Sequence, residues 1–158
     1  MIYNILIAAI CPTPQNLDTR RFDPKTVTGH SRFMSIKMFE YKNCDTCKKA
    51  IKYLEANAVK FEKIPIVDQP PSLPELKQML TYLKNGGESF KKLFNTSGVQ
   101  YRELKVADQI KDGLTENEAL KILSTNGKLI KRPFLLTSSG GTVGFKQDDW
   151  AKLLQLKE

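Results

Sequence analysis

The sequence has few of the residue types that tie small secreted proteins together or build metal centres. Its 158 residues include three cysteines and one histidine. Three cysteines are too few, and an odd number, for a framework of disulfide bonds. Glycine and proline number only 9 and 8, which excludes collagen-like and low-complexity composition. No run of about 18 apolar residues occurs, so no membrane-spanning helix is expected. The composition predicts a soluble globular protein.

The chain carries an excess of positive charge. Lysine and arginine together number 25 against 17 acidic residues, a net charge of +8. Such a surplus favours contact with anions, whether nucleic acid, phosphate or acidic thiol substrates. The basic residues are spread along the chain and never form a run of five or six, which is typical of a solvated basic surface. Nothing resembles a helix-turn-helix, so we expect no direct contact with nucleic acid and none with a membrane.

The beginning of the chain differs from the rest. Its apolar start lacks the preceding cations of a signal peptide and gives way to an irregular polar segment. A good strand pattern follows Met34 at once. We therefore expect residues 1–33 to be an appendage outside the fold, and residues 34–158 to be the folded domain. Cys11 and His30 fall in the appendage, so neither is expected to be catalytic.

Hydrophobic spacing in the domain predicts the order β-α-β, a helical block, then β-β-α. The two strands of the β-α-β unit would lie parallel. The helical block covers about residues 72–126, where Ser72 is a plausible N-cap and no strand period occurs. We expect Asp148 to cap the last helix. The predicted strands are 36–41, 59–67, 134–137 and 142–146, and the main predicted helices are 44–56, 72–86, 101–110 and 115–127.

The main chemical signal is a C-x-x-C motif, Cys44 and Cys47, at the junction of the first strand and the first helix. The thiolate is the reactive form of cysteine, and a helix N-terminus stabilises it with free N–H groups and a positive dipole end. Lys42 and Lys48 add positive potential. Cys47 lies three residues on, on nearly the same face but one turn deeper. The spacing fits an attacking Cys44 and a resolving Cys47.

Other interpretations of the pair stay open. The domain offers only these two cysteines and no histidine, so a zinc site would have to be shared between two chains, and we expect no metal. The pair could also be two unreactive buried cysteines. A structural disulfide is not expected in a cytosolic protein, where thiols are kept reduced.

The residues around the pair, from Tyr41 to Ala50, resemble the opening of the ArsC/Spx/YffB family of arsenate reductase-like proteins, closest to its YffB-like branch. The resemblance covers about residues 35–155. It implies an α/β thioredoxin-like fold, with a mixed sheet of about four strands and a helical insertion after the second strand. The predicted block at 72–126 matches that insertion. The resembling runs are 41–50, 54–57, 93–98, 130–134 and 144–145.

The resemblance also implies roles for single residues. The family's nucleophile falls on Cys44, and the second cysteine of Spx-like members falls on Cys47. The basic residue that binds an oxyanion or a thiol partner falls on Arg132, and the thioredoxin-fold cis-proline falls on Pro133. The implied reductant is glutathione or a thioredoxin- or glutaredoxin-type protein, and no bound cofactor is expected. The implied activity is that of a cytoplasmic thiol-dependent oxidoreductase.

Three positions depart from the family's pattern. Classical arsenate reductases use three arginines around the oxyanion, and the first of these falls on Asn95. The third falls near Lys146, which supplies charge but no planar pair of donors. An arginine usual in the YffB and Spx branches is Ser97 here. These departures favour disulfide chemistry over arsenate reduction, with Lys146, Lys42 and Lys48 assisting in anion binding.

The alternative function is regulatory. Spx-like members of the family bind the RNA polymerase α subunit and use the cysteine pair as a switch. The sequence has the pair and a basic surface, but it does not identify a partner-binding face.

Overall fold

The computed structural model describes residues 35–156. The predicted appendage at 1–33, with Cys11 and His30, lies outside the described residues, and so does Met34. The strands are β1 (Lys37–Glu40), β2 (Glu62–Pro65), β3 (Phe134–Leu136) and β4 (Gly141–Val143). The helices are α1 (Asp45–Ala56), α2 (Leu73–Asn85), α3 (Val99–Glu103), α4 (Val106–Lys111), α5 (Glu116–Thr125) and α6 (Gln147–Leu154).

The four strands form one mixed sheet in the order β2-β1-β3-β4. β1 and β2 are parallel and are joined by α1, whereas β3 is antiparallel to both β1 and β4. The predicted α/β thioredoxin-like architecture is therefore confirmed, with its four-stranded mixed sheet. The predicted helical insertion is confirmed too, because α2, α3, α4 and α5 all lie between β2 and β3.

Hydrophobic clusters cover both faces of the sheet. Successive residues of a strand point to opposite faces, so Met38 and Phe39 of β1 enter different clusters. Phe39 packs in the larger cluster with buried residues of α2 and α5. Met38 packs in the smaller one with residues of α1 and with the fully buried Trp150 of α6. With both faces covered, the ends of the strands are where side chains can meet a substrate.

Two helices of the insertion begin at capping boxes that the local sequence encodes. At the start of α2, the Ser72 N–H donates to the Glu75 carboxylate at 2.8 Å. At the start of α5, the Thr115 N–H donates to the Glu118 carboxylate at 2.9 Å. Each carboxylate satisfies a backbone donor that the helix itself leaves unpaired. Both helices begin where the sequence predicts.

Two sequence predictions are wrong in detail. The predicted helix at 101–110 is interrupted, because Lys105 adopts a left-handed conformation with φ 48° between α3 and α4. The turn brings Val106 into the core, where it is buried. The predicted cap of the last helix is also displaced, because Lys146 occupies the N-cap position of α6. Asp148 lies inside the first turn, where its charge faces the positive end of the helix.

The insertion returns to the sheet through a close backbone contact. After α5 the chain makes a 3₁₀ turn at Gly127–Leu129. The α-carbon of Gly127 lies so near Ile66 that an added methyl group would overlap the Ile66 carbonyl oxygen. Just beyond, the Lys131 N–H donates to the Leu93 carbonyl at 2.7 Å. These contacts hold the segment that leads into β3.

Candidate functional site

The sheet brings two loops to the same end. β1 and β3 are antiparallel with Phe39 opposite Phe134, so the chain that leaves β1 lies beside the chain that enters β3. The first of these segments carries Cys44. The second carries Arg132 and Pro133, whose shared peptide bond is cis. Residues that are far apart in the sequence therefore meet at one end of the central strand.

Cys44 occupies the N-cap position of α1, with extended backbone angles (φ −111°, ψ 113°). Its sulfur accepts a hydrogen bond from the Cys47 N–H at 3.4 Å. Its own N–H donates to the Tyr41 carbonyl at 2.9 Å, which closes the turn between β1 and α1. Cys44 is half-buried, whereas Cys47 is buried. The structure thus places this thiol at the positive end of a helix dipole.

Cys47 lies one turn further into α1 and is fully buried. Burial raises the pKa of the Cys47 thiol to about 12, and the neighbouring Cys44 sulfur adds to that rise. The Tyr41 N–H and the charge of Arg132 act in the opposite direction without cancelling it. Both thiols are free in the structure. At neutral pH the Cys47 thiol is protonated, so Cys44 is the candidate nucleophile.

We expect alkylation of the native protein to modify Cys44 and spare Cys47. Only thiolates react rapidly, and a pKa of about 12 keeps Cys47 protonated between about pH 6 and 9. The measurement is peptide mass mapping after iodoacetamide treatment of a Cys11→Ser variant. Unfolding in urea should make Cys47 react like an ordinary thiol. Modification of native Cys47 within about tenfold of the Cys44 rate would contradict this prediction.

Arg132 brings a permanent positive charge to the cysteine pair. Its guanidinium carbon lies 4.6 Å from the centre of the Tyr41 ring. Its charge favours the ionised form of Cys47 and acts to lower the pKa of that thiol, which shows that the guanidinium lies within electrostatic range of the pair. No ion pair joins Arg132 to a carboxylate within residues 35–156. The charge is therefore available to an anionic ligand.

A cleft of about 390 Å³ opens beside the motif. It brings Arg132 and Lys146 together with Thr46, which lies between the two cysteines. Two further cations, Lys92 and Lys131, line the same cleft, and Asp149 is the one acidic side chain on its wall. The cleft is lined by Thr46, Lys92, Lys131, Arg132, Thr142, Val143, Gly144, Phe145, Lys146 and Asp149. Such a surface suits a small anionic group.

Two cations that the sequence predicted for this site lie elsewhere. Lys42 and Lys48 are exposed and do not line the cleft. The Lys48 ammonium lies 3.3 Å from the Asp45 carboxylate, one turn away on the outer face of α1. An exposed pair of this kind contributes little to stability and partly neutralises the lysine. The two lysines raise the general potential near the motif without contacting the cleft.

Sequence reasoning missed Lys92 and Lys131. Lys92 lies within the insertion, between α2 and α3, and is paired with the Glu88 carboxylate. That hydrogen bond lowers the pKa of the Glu88 carboxyl, and the charges of Lys131 and Lys146 lower it further. One carboxylate is thus paired with Lys92 and lies within electrostatic range of two further lysines that line the cleft. Lys131 directly precedes Arg132, which is a signal that the sequence did offer, whereas Lys92 has no local signal.

A second cleft, of about 370 Å³, lies on the other side of Arg132. Its walls include the Tyr41 ring, Lys128 and Glu103. Asn95 also lines this cleft, and its amide side chain adds no positive charge to it.

No group of three or more metal-ligating side chains occurs within residues 35–156. Over the same range, no helix has the length and apolarity needed to cross a membrane.

Comparison with known proteins shows which family the chain resembles. The sequence model of the ArsC family matches residues 39–153. The chain is 43% identical over 117 residues to YusI, an uncharacterized protein of Bacillus subtilis strain 168, covering 74% of this chain and 96% of YusI. It is 28% identical over 114 residues to the global transcriptional regulator Spx of Streptococcus agalactiae, covering 72% of this chain and 79% of Spx.

A crystal structure from Bacteroides fragilis, described as that of an ArsC family related protein, is also similar. It shares 42% sequence identity and a TM-score of 0.68, covering 76% of this chain and 98% of the other. The resemblance inferred from the motifs is confirmed by these matches.

Proposed function

Because the chain belongs to the ArsC family, we propose that it is a thiol-dependent reductase in which Cys44 is the nucleophile. The observation that carries the proposal is the position of Cys44. Cys44 is half-buried at the start of α1, and Thr46 of the same motif lines a cleft together with Arg132 and several other cations. Hydrogen-bond donors and positive charge favour the attacking form of a cysteine. The reaction belongs in the cytoplasm, where thiols are kept reduced.

The proposed reaction is thiol–disulfide exchange in two steps. The Cys44 thiolate attacks one sulfur of a disulfide, forms a mixed disulfide and releases the other half as a thiolate, which takes a proton from water. A glutathione thiolate then attacks the substrate sulfur of the mixed disulfide. This step restores the Cys44 thiolate and leaves glutathione joined to the second half of the substrate. Glutathione is oxidised and the released thiol is the reduced product, so the electrons balance.

The resolving thiol is proposed to come from outside the chain. Cys47 is the internal candidate, but its sulfur is fully buried and burial raises its pKa to about 12. A protonated thiol attacks a disulfide slowly. Glutathione, or the dithiol of a thioredoxin- or glutaredoxin-type protein, has no such restriction. Attack by Cys47 would instead form an internal disulfide, which the same reductants could reduce.

The basic cleft is proposed to hold an anionic part of the substrate or reductant, such as a glutathione carboxylate. Arg132 can donate two parallel hydrogen bonds to a carboxylate or an oxyanion. Lys146 adds charge without that planar geometry, and Asn95 adds none. Arsenate, which classical family members hold with three arginines, would be bound less well here. Disulfides are therefore the better supported substrate class.

A second candidate function is a redox-sensing regulator of transcription. The observation that favours it is the retained Cys44–Cys47 pair together with the 28% identity to Spx. In this function the internal disulfide would alter binding to the RNA polymerase α subunit, and no turnover would be needed.

A coupled assay distinguishes the two functions. We expect the protein to accelerate the reduction of hydroxyethyl disulfide by glutathione, followed as NADPH consumption in the presence of glutathione reductase. Arsenate should be reduced more slowly, because two of the three arginine positions are not arginine. Protein alkylated beforehand with iodoacetamide is the matched control and should be inactive. Absence of turnover, together with capture of the RNA polymerase α subunit only by the oxidised chain, would support the regulator instead.

A further inference from the structure

Tyr41 is the residue through which the two loops of the site contact each other. It directly follows β1, and its side chain is half-buried against the larger hydrophobic cluster. Its carbonyl accepts the Cys44 N–H at 2.9 Å. Its ring lies under Arg132, with 4.6 Å between the ring centre and the guanidinium carbon. One residue thus contacts both the Cys44 backbone and the arginine.

The register of the sheet explains this arrangement. Phe39 lies opposite Phe134 at the end of the antiparallel ladder, and Tyr41 and Arg132 each lie two residues beyond that pair. Side chains directly opposite each other on neighbouring strands are close enough to interact. The contact therefore follows from the pairing of β1 with β3.

The contact with the Tyr41 ring determines which part of the Arg132 guanidinium can still bind a ligand. An aromatic ring attracts a guanidinium through its face. The N–H donors lie in the plane of the guanidinium, so a group stacked by its face can still donate two parallel hydrogen bonds. Within the described residues no carboxylate forms an ion pair with Arg132 that could hold it in place. The Tyr41 ring is thus the contact that orients this cation.

We propose that Tyr41 is a positioning residue, whose ring holds the Arg132 guanidinium near the cysteine pair with its donors free for the anionic group of a reacting molecule. This inference rests on the proposed function in one respect, because it takes Cys44 as the reacting thiol. The inference assigns Tyr41 to the proposed site as a residue whose ring affects the substrate only by orienting Arg132. The hydroxyl of Tyr41 has no part in it.

The test compares alkylation of Cys44 by iodoacetate, which is anionic, and by iodoacetamide, which is neutral and nearly the same size. The ratio of the two rates reports the positive charge near the sulfur and needs no turnover. We expect Tyr41→Leu to lower this ratio about two- to fivefold, the range of a partly exposed cation–π contact. Tyr41→Phe retains the ring and should keep the ratio of the native protein. Tyr82→Leu is the matched control, because Tyr82 lines neither of the two clefts beside Arg132. Its hydroxyl donates to the Ser138 carbonyl instead.

A double variant separates positioning from general damage to the fold. In an Arg132→Ala background, Tyr41→Leu should leave the ratio unchanged, because the cation that the ring orients is gone. An equal decrease in both backgrounds would overturn the proposal, as would a decrease in Tyr41→Phe as large as that in Tyr41→Leu. If Tyr41→Leu does not fold, Tyr41→Met fills the site with a flexible side chain and serves the same comparison.

The outcomes also separate this inference from the proposed function. A Cys44 that reacts with both reagents, but with a ratio insensitive to Tyr41→Leu, contradicts only the positioning role. A Cys44 that reacts with neither reagent contradicts the reductase function and the positioning role together.

Discussion

Cys44→Ser is expected to lower the rate of disulfide reduction by at least about a thousandfold, to the rate without protein. The reaction needs a sulfur that can form and then release a disulfide bond, and a serine hydroxyl can do neither. The measurement is the glutathione-coupled reduction of hydroxyethyl disulfide, with wild-type and variant proteins at equal concentration. Retained turnover in this variant would remove Cys44 from the proposed role.

The fold should survive this substitution, so that loss of activity can be assigned to chemistry. Cys44 occupies the N-cap position of α1, where its sulfur accepts the Cys47 N–H. Serine is among the preferred N-cap residues, because its oxygen accepts the same hydrogen bond at a shorter distance. We expect the unfolding midpoint of the variant to match that of the wild type or to lie slightly higher.

Cys47→Ser is the matched comparison within the same motif. If an external thiol resolves the mixed disulfide, this variant keeps most of its turnover with glutathione. If Cys47 resolves it, the variant accumulates a mixed disulfide on Cys44, which mass spectrometry detects. The pair of variants therefore tests the nucleophile and the resolving thiol separately.

Gly127→Ala is expected to destabilise the domain by about 3 kcal/mol or more. The added methyl group would overlap the carbonyl oxygen of Ile66. The methyl group would be fixed to the buried Gly127 backbone, and the oxygen belongs to the buried Ile66 backbone. No side chain can therefore rotate away to relieve the overlap. The segment after Gly127 must then shift, and Lys131 and Arg132 would move with it. The free energy of unfolding, measured by urea denaturation, tests this expectation.

Gly86→Ala provides the control for Gly127→Ala. Gly86 lies at the end of α2 with φ −89°, a value that alanine adopts without strain. An added methyl group would lie 3.4 Å from the Leu83 carbonyl oxygen, an ordinary contact. We expect its effect on stability to be within about 1 kcal/mol. Equal stabilities for the two variants would show that the Gly127 contact is not tight.

The sequence predicted best those features that depend on residues close together in the chain. The helices predicted to begin at Ser72 and at residue 115 both begin at the expected places, each with a capping box that lies within four residues. The junction of a strand and a helix at Cys44 is equally local, and the structure has it there. In each case a side chain within the same four residues pairs with a backbone N–H group that the helix leaves without an internal partner.

The sequence predicted the limits of β2 less well. The apolar pattern at 59–67 predicted a longer strand than Glu62–Pro65. Val59 and Phe61 pack against the smaller hydrophobic cluster, although both residues precede the part of the chain that pairs with β1. Buried loop positions and paired strand positions favour the same apolar residue types. The sequence pattern alone therefore does not show where the strand ends.

The members of the candidate site that come from distant segments could not be found in the same way. Lys92 reaches the cleft because the insertion folds over one face of the sheet, which no local pattern encodes. The contact between Tyr41 and Arg132 depends on the pairing of β1 with β3. Resemblance to the family supplied the position of Arg132, but not the aromatic ring beneath it.

The order of strands in the sheet has a consequence for synthesis of the chain. β1, α1 and β2 can associate as soon as they leave the ribosome, but β3 is made only after the whole insertion. Cys44 is therefore synthesised well before Arg132, and the contact between Tyr41 and Arg132 cannot form until the insertion is complete.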